Sequence, residues 1–179
     1  AGRSAVGGRV VAKMNAMADH DVAEKLYEAS QAGVEIVLFV RGFCCLRPGA
    51  PGLSENIRVV SNVGRFLEHS RMYFFSNGSP DPADGDWFIG SSDWMHRNLD
   101  TRVEAITPIR DTGAKRKLAS IVEALLADRR VAWEMRPDGS YEPRTTPTDA
   151  PPDSPEALGV FAYLMKIALD EQRAARNGR

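Results

Sequence analysis

The chain has few means of covalent reinforcement. Its two cysteines, Cys44 and Cys45, are adjacent, which makes a poor disulfide framework and matches no zinc-ligand spacing. A reducing, cytoplasmic setting is the expectation that follows. There is no apolar run long enough to span a bilayer and no basic-then-apolar signal pattern at the start, so no transmembrane segment is expected. An excess of one charge is missing too. With 23 Lys and Arg against 24 Asp and Glu, the net charge of -1 gives no overall pull toward nucleic acid or an anionic membrane. Internal repeats are absent. What remains is an ordinary globular composition, 43% hydrophobic and 26% charged, over 179 residues, enough for one domain with its own core.

Residues 1–8 are small and flexible in character, and read as a leader or cloning remnant. Val10–Met14 reads as a short strand. Asp19 or Asp21 can cap a helix with Val22, Leu26 and Ala29 at helical spacing, ended by Gly33. The β-branched run Val34–Val40 reads as a buried strand, and strand, helix, strand in this order predict a right-handed crossover. Residues 41–54, studded with glycine and proline, read as a loop. Further strands are expected at Ile57–Ser61, Met72–Phe75, Trp87–Gly90 and Val103–Ile109, with a polar loop at Ser79–Asp86. Ala114–Ala127 is an amphipathic helix, Val131–Met135 an edge strand, Thr145–Pro155 a proline-rich connector and Pro155–Arg176 a terminal helix. The fold class is α/β, a mixed sheet flanked by helices.

Three segments carry chemistry. Arg41 follows a buried strand and precedes glycine, the place where open α/β sheets put ligand-binding groups, and its five donors suit phosphate oxygens. A surface salt bridge is the plainer reading. His69 and Arg71 stand one residue apart before a strand, which places both on one face of an extended segment. There an arginine could balance phosphate charge while the histidine serves as nucleophile or proton donor; the plainer reading is a histidine satisfied by Glu68 at a helix end. In Gly90–Asp100, small residues free backbone amides for an anion and Arg97 and Asn98 could add donors, although a turn capped by Asp93 would look the same. Residues 41–79 hold five arginines, no lysine and two acids, a local balance of +3 that fits oriented phosphate recognition. His20 reads as solvated, His96 as surface or substrate-adjacent, and Trp87 and Trp94 as core or pocket wall.

With these segments in order the chain resembles the polyphosphate kinases, which make long phosphate polymers from ATP. The matching strings include Ala12-Lys13-Met14-Asn15, Val40-Arg41-Gly42, Cys44-Cys45-Leu46-Arg47-Pro48-Gly49, Leu53-Ser54-Glu55-Asn56-Ile57-Arg58, Gly64 through Arg71, Ser91-Ser92-Asp93-Trp94-Met95 with Arg97-Asn98-Leu99-Asp100, and Asp138-Gly139-Ser140-Tyr141. Roughly residues 9–145 are covered, with 146–179 left as connector and helix.

The resemblance implies a phospholipase-D-like half, the second of two such domains at the carboxy end of those enzymes. It implies a route in which a histidine of the first domain, absent here, takes the terminal phosphate of ATP and passes it to the polymer. On that mapping Arg41 and His69 contact the nucleotide's phosphates, His69 assists as acid or base, and Arg71, Arg47, Arg97 and Asn98 are further phosphate contacts. Magnesium accompanies ATP in the full enzyme, and no metal ligand falls in this chain. The expected partners are ATP or ADP, polyphosphate, the remaining domains of the same enzyme and a possible second copy, with no nucleic acid. The phospholipase-D pattern is only partly kept: His-x-Lys becomes His69-Ser70-Arg71, the acid five residues on becomes Ser76, and the asparagine of Gly-Ser-x-Asn becomes Asp93. A stand-alone polyphosphate- or nucleotide-binding module and a phosphodiesterase completed by dimerisation are the alternatives.

Overall fold

In the computed structural model, which describes residues 7–177, the apolar run becomes strand β2 (Glu35–Val40), central in an eight-stranded sheet and buried from Ile36 to Val40. Its residues alternate between two cores: Val37 and Phe39 face one side, Ile36, Leu38 and Val40 the other. Burial on both faces is why this strand shows no polar alternation. β1 (Arg9–Met14) and β3 (Ile57–Asn62) flank β2 in parallel, with Met14 opposite Val40 and Ile36 opposite Ile57. Outward the sheet is antiparallel: β4 (Met72–Phe75), β5 (Asp86–Gly90) and β6 (Ile106–Ile109) on one side, β7 (Ala132–Met135) and β8 (Tyr141–Pro143) on the other, in the order β6-β5-β4-β1-β2-β3-β7-β8.

Helices cover both faces. α1 (His20–Gln31) is capped by Asp19, whose carboxylate accepts from the Val22 amide at 3.0 Å, and ends before Gly33 at φ 87. It packs Ala23 and Leu26 on Ile36, Leu38 and Tyr73. On the other face α2 (Thr112–Ala127), capped by Asp111, lays Val122, Ala124 and Leu125 against Val37, Phe39 and Phe74. Each buried aliphatic or aromatic side chain contributes roughly 1.5–3 kcal/mol, so these two layers account for the cohesion of the domain. No helix among the described residues is long and apolar enough to cross a membrane.

The structure differs from sequence expectation in three places. The strand expected at Val103–Ile109 begins only at Ile106; Val103 is fully exposed. β7 is not an edge, because β8 pairs outside it through a turn at Gly139, φ 89. Three residues carry too little periodicity to announce a strand. The terminal helix is broken in two, α3 (Pro155–Leu158) and α4 (Val160–Asn177), by Gly159 at φ 79, ψ 151, a conformation reserved to glycine. Of the expected leader, residues 1–6 lie outside the described residues.

Candidate phosphate site

Sheet topology assembles the site. β1 and β2 are parallel and end at one edge; β4 is antiparallel to β1 and starts there; β5 returns to the same edge. Asn15 after β1, Arg41 after β2, His69 and Arg71 before β4 and Asp93 after β5 therefore meet, although they are far apart in sequence. Isolated bridges of Met17 with Cys44 and with Trp94 tie the loops together behind them.

At the centre His69 is exposed and lies between two guanidinium groups. Arg41 Nη2 is 3.2 Å from Nδ1, and Arg71 Nη2 is 3.1 Å from Nε2. A neutral imidazole accepts at one nitrogen alone, so one of these approaches is a hydrogen bond and the other is a donor facing a donor. The two arginines differ in kind. Arg71 Nε and Nη2 reach the two Asp93 oxygens at 3.0 and 3.1 Å, and Nη1 donates to the His69 carbonyl at 2.8 Å. The ion pair is nearly sealed, with side-chain exposures of 10% and 3%. Burial by itself would raise the Asp93 carboxyl, but the Arg71 guanidinium and the amides of Asn15 and Ala16 outweigh it and hold Asp93 below its ordinary range.

Arg41 is placed by neutral acceptors: the Glu68 carbonyl at 2.8 Å and Asn15 Oδ1 at 2.6 Å. No carboxylate lies within ion-pair distance of it among the described residues, so the expected alternative of a surface salt bridge does not apply, and its charge faces His69 uncompensated. Glu68 does not bind His69 as the plainer reading supposed. It pairs with Lys13, whose Nζ also donates to the Ser70 carbonyl at 3.1 Å. Burial lowers Lys13 below the usual lysine value; Glu68 pulls it back only in part, while Arg41 and Arg71 add to the lowering. Burial raises Glu68, yet the hydrogen bonds from Lys13 and Ser70 leave it below the usual carboxylate range.

Below this cluster opens a cavity of about 710 Å³ between the sheet and the helices, with Lys13, Arg41 and Arg71 at its polar end and Phe39, Ile121 and Phe161 among its apolar walls.

The structure thus brings Arg41, His69 and Arg71 together and leaves three expected contacts outside. Arg47 and Arg97 are exposed, bind no cluster residue through their side chains and do not line the cavity. Asn98 is buried in a π-type turn (Arg97–Thr101) and donates to Glu104 at 2.6 Å, so its amide fastens the loop after β5. Lys13 and Asn15 were missed as site residues, and Glu68 was expected to bind His69 and not Lys13; the available signal was a lysine at the end of β1 and an asparagine just past it, level with the end of β2. Ser76 accepts from the Arg9 amide at 2.8 Å and caps a turn, which is a structural use of the position where an acid was expected. His20 and His96 are exposed and pair with Glu24 and Asp100. Trp87 is core, Trp94 stacks on Tyr73 at 5.4 Å, and both cysteines are free, with burial pushing Cys44 up to about 11. The acids beside His69 do not fit a resident cation, since Glu68 and Asp93 already have both oxygens engaged.

An eight-stranded mixed sheet with helices on both faces is a fold shared with the phospholipase D class. A solved member, Nuc from Salmonella typhimurium, superposes with a TM-score of 0.54 at 10% identity, covering 74% of this chain and 85% of that one. Within that class the family is specific: residues 2–154 match the polyphosphate kinase C-terminal domain 2 model, and the chain belongs to that family. It is 55% identical over 169 residues to a polyphosphate kinase of Thermosynechococcus vestitus and 51% identical over 165 residues to that of Synechocystis, covering 94% and 92% of this chain and 22% of each relative. The crystal structure of polyphosphate kinase from Porphyromonas gingivalis matches with a TM-score of 0.80 at 37% identity, over 93% of this chain and 24% of that one. The chain therefore spans about a quarter of the length of the relatives it matches.

Proposed function

We propose that this domain is the phosphate-binding half of a polyphosphate kinase site in the cytoplasm, acting with ATP or ADP and polyphosphate. The observation that carries the reading is the exposed His69 ring set between the uncompensated Arg41 and the pre-paired Arg71. A phosphate oxygen arriving between Arg41 and His69 would replace the unfavourable donor-to-donor approach with two donated hydrogen bonds. Family membership supports the chemistry: the bond from the β–γ bridging oxygen to the γ-phosphorus breaks, ADP leaves, and the phosphoryl group passes through a histidine elsewhere in the polypeptide to the terminal oxygen of the polymer. Here Arg41 balances charge on the non-bridging oxygens, and His69 gives or takes a proton at the leaving or attacking oxygen. Magnesium would enter with the nucleotide, held by phosphate oxygens and by groups outside this chain.

Such transfer depends on positioning and charge stabilisation, so the domain alone should bind phosphates weakly and turn over no ATP. Calorimetric titration with polyphosphate, and with ATP and magnesium, tests this beside Arg41→Ala and His69→Ala. Binding reduced at least several-fold in Arg41→Ala is the expected result. Binding equal in parent and both variants overturns the assignment. Full polyphosphate affinity without chemistry in the reassembled enzyme would favour the binding-module reading. Phosphodiesterase activity from a dimer is disfavoured by the engagement of Ser76 and Asp93 described above.

A further inference from the structure

The loop between β3 and β4, residues 63–71, carries His69. It is anchored at one end by the Val63 amide, which donates to the Val131 carbonyl at 3.3 Å. At the other end Arg41, Lys13 and Arg71 take the carbonyls of Glu68, Ser70 and His69. Between these anchors, no hydrogen bond among the described residues involves Gly64, Arg65, Phe66 or Leu67. What meets this unbonded stretch is the ring of Phe161, in the first turn of α4. Phe66 and Phe161 stand edge to face, centroids 6.5 Å apart and planes at 73°. Gly64 lies so close to the same ring that a Cβ there would fall 2.4 Å from Cδ2 and 2.5 Å from Cε2. Phe161 also lines both the cavity under the phosphate cluster and a second one, about 460 Å³, between the loop and α4.

The helix that delivers this ring is itself firmly placed. The Val160 amide donates to the buried Asp128 carboxylate at 3.1 Å, and Gly159 redirects the chain just before it. The whole segment lies beyond residues 2–154, the span of the family match.

We infer that Phe161 is a positioning residue for the phosphate site: by clamping Gly64 and Phe66 it sets where the loop presents His69 between Arg41 and Arg71. Its importance for function rests on the reading above; the clamp itself does not, because it acts in the ligand-free chain. The ring works on backbone that has no hydrogen bonds of its own, so it substitutes for the ladder that fixes the neighbouring strands. Arg65 and Leu67 project from the same stretch, with Leu67 81% exposed, so a displacement here meets little resistance from packing.

Carbon-13 labelling of histidine provides the test, since the chain has three and two are internal controls: His20 on α1 and His96 after β5 are exposed and pair with Glu24 and Asp100 of their own segments. In Gly64→Ala the new methyl collides with the ring. The expected result, read without nucleotide, is a shift or broadening of the His69 Cε1–H signal beyond its linewidth while the other two stay in place. Phe161→Leu, which removes the ring edge, should also move His69 alone. Gly64→Ala combined with Phe161→Leu, where the methyl fills the space left, should return the signal toward its parent position. If Gly64→Ala unfolds, His20 and His96 report it and Phe161→Leu decides. His69 unmoved in the folded variants, or no recovery in the double variant, overturns the clamp. A parallel titration with polyphosphate, and with ATP and magnesium, separates the two proposals: a displaced His69 with neither ligand bound by the parent chain leaves the clamp standing and removes the phosphate reading.

Discussion

Asp93 shows how one residue can determine what its neighbours are free to do. It pairs with Arg71, and the two fit one another because a carboxylate meets a guanidinium fork through two bonds. The result is an Arg71 already neutralised, leaving Arg41 as the site's uncompensated cation. Asp93→Ala would strand the Arg71 charge at a nearly sealed position and should cost about 3–5 kcal/mol, measured by denaturant unfolding. Arg58→Ala, which breaks a half-exposed pair with Glu134, should cost less than about 1 kcal/mol in the same assay. Equal costs would mean that Asp93 and Arg71 are more solvated than the geometry indicates.

At the scale of elements, strand order and helix breaks matter more than helix propensity. α4 begins where Gly159 takes a backbone conformation closed to other residues, and the turn lets the Val160 amide reach Asp128. Gly159→Ala should therefore destabilise by roughly 1–3 kcal/mol from backbone strain. A Cβ there would meet nothing nearer than 3.5 Å, so steric collision is not the cause. Thermal unfolding of the variant checks this, and an unchanged midpoint would show that the α3–α4 break relaxes freely. β8, though three residues long, matters for a different reason: it covers the edge that β7 would otherwise leave open.

For the molecule as a whole, three acids that tie elements together are depressed: Asp93, Glu68 and Glu134, in each case because ion pairs and hydrogen bonds outweigh the opposing effect of burial. A carboxyl with a folded value below its unfolded one stabilises above the unfolded value, near 4, and that contribution is lost as pH falls through the folded value. Stability should be level near neutrality and decline below about pH 4, with a shallower acid limb in Asp93→Ala. Melting temperature followed from pH 7 to 2 tests it; a decline beginning near pH 6 would point to histidine instead. The same scale bears on the proposed lack of ATP turnover by the domain alone, because the site edge built by β1, β2, β4 and β5 exposes His69 between Arg41 and Arg71, while the phosphoryl-carrying histidine of the proposal belongs to another part of the polypeptide.

Local composition was enough to reveal α1, α2 and the central strands, because their apolar residues repeat at the periods of helix and strand and their caps are adjacent in sequence. It also yielded Arg41, His69 and Arg71, residues at strand ends whose chemistry is visible one segment at a time. Pairing lay beyond its reach. That Glu68 takes Lys13, that Arg71 is spent on Asp93, and that Asn98 is turned inward toward Glu104 are decided by which strand ends share an edge. Sheet register brings Lys13 within bonding distance of Glu68 and Arg71 within bonding distance of Asp93. The sequence alone determined the kinds of groups present; the tertiary structure decided which charges are already neutralised and which stay uncompensated, because compensation depends on distance between groups that the chain order keeps far apart.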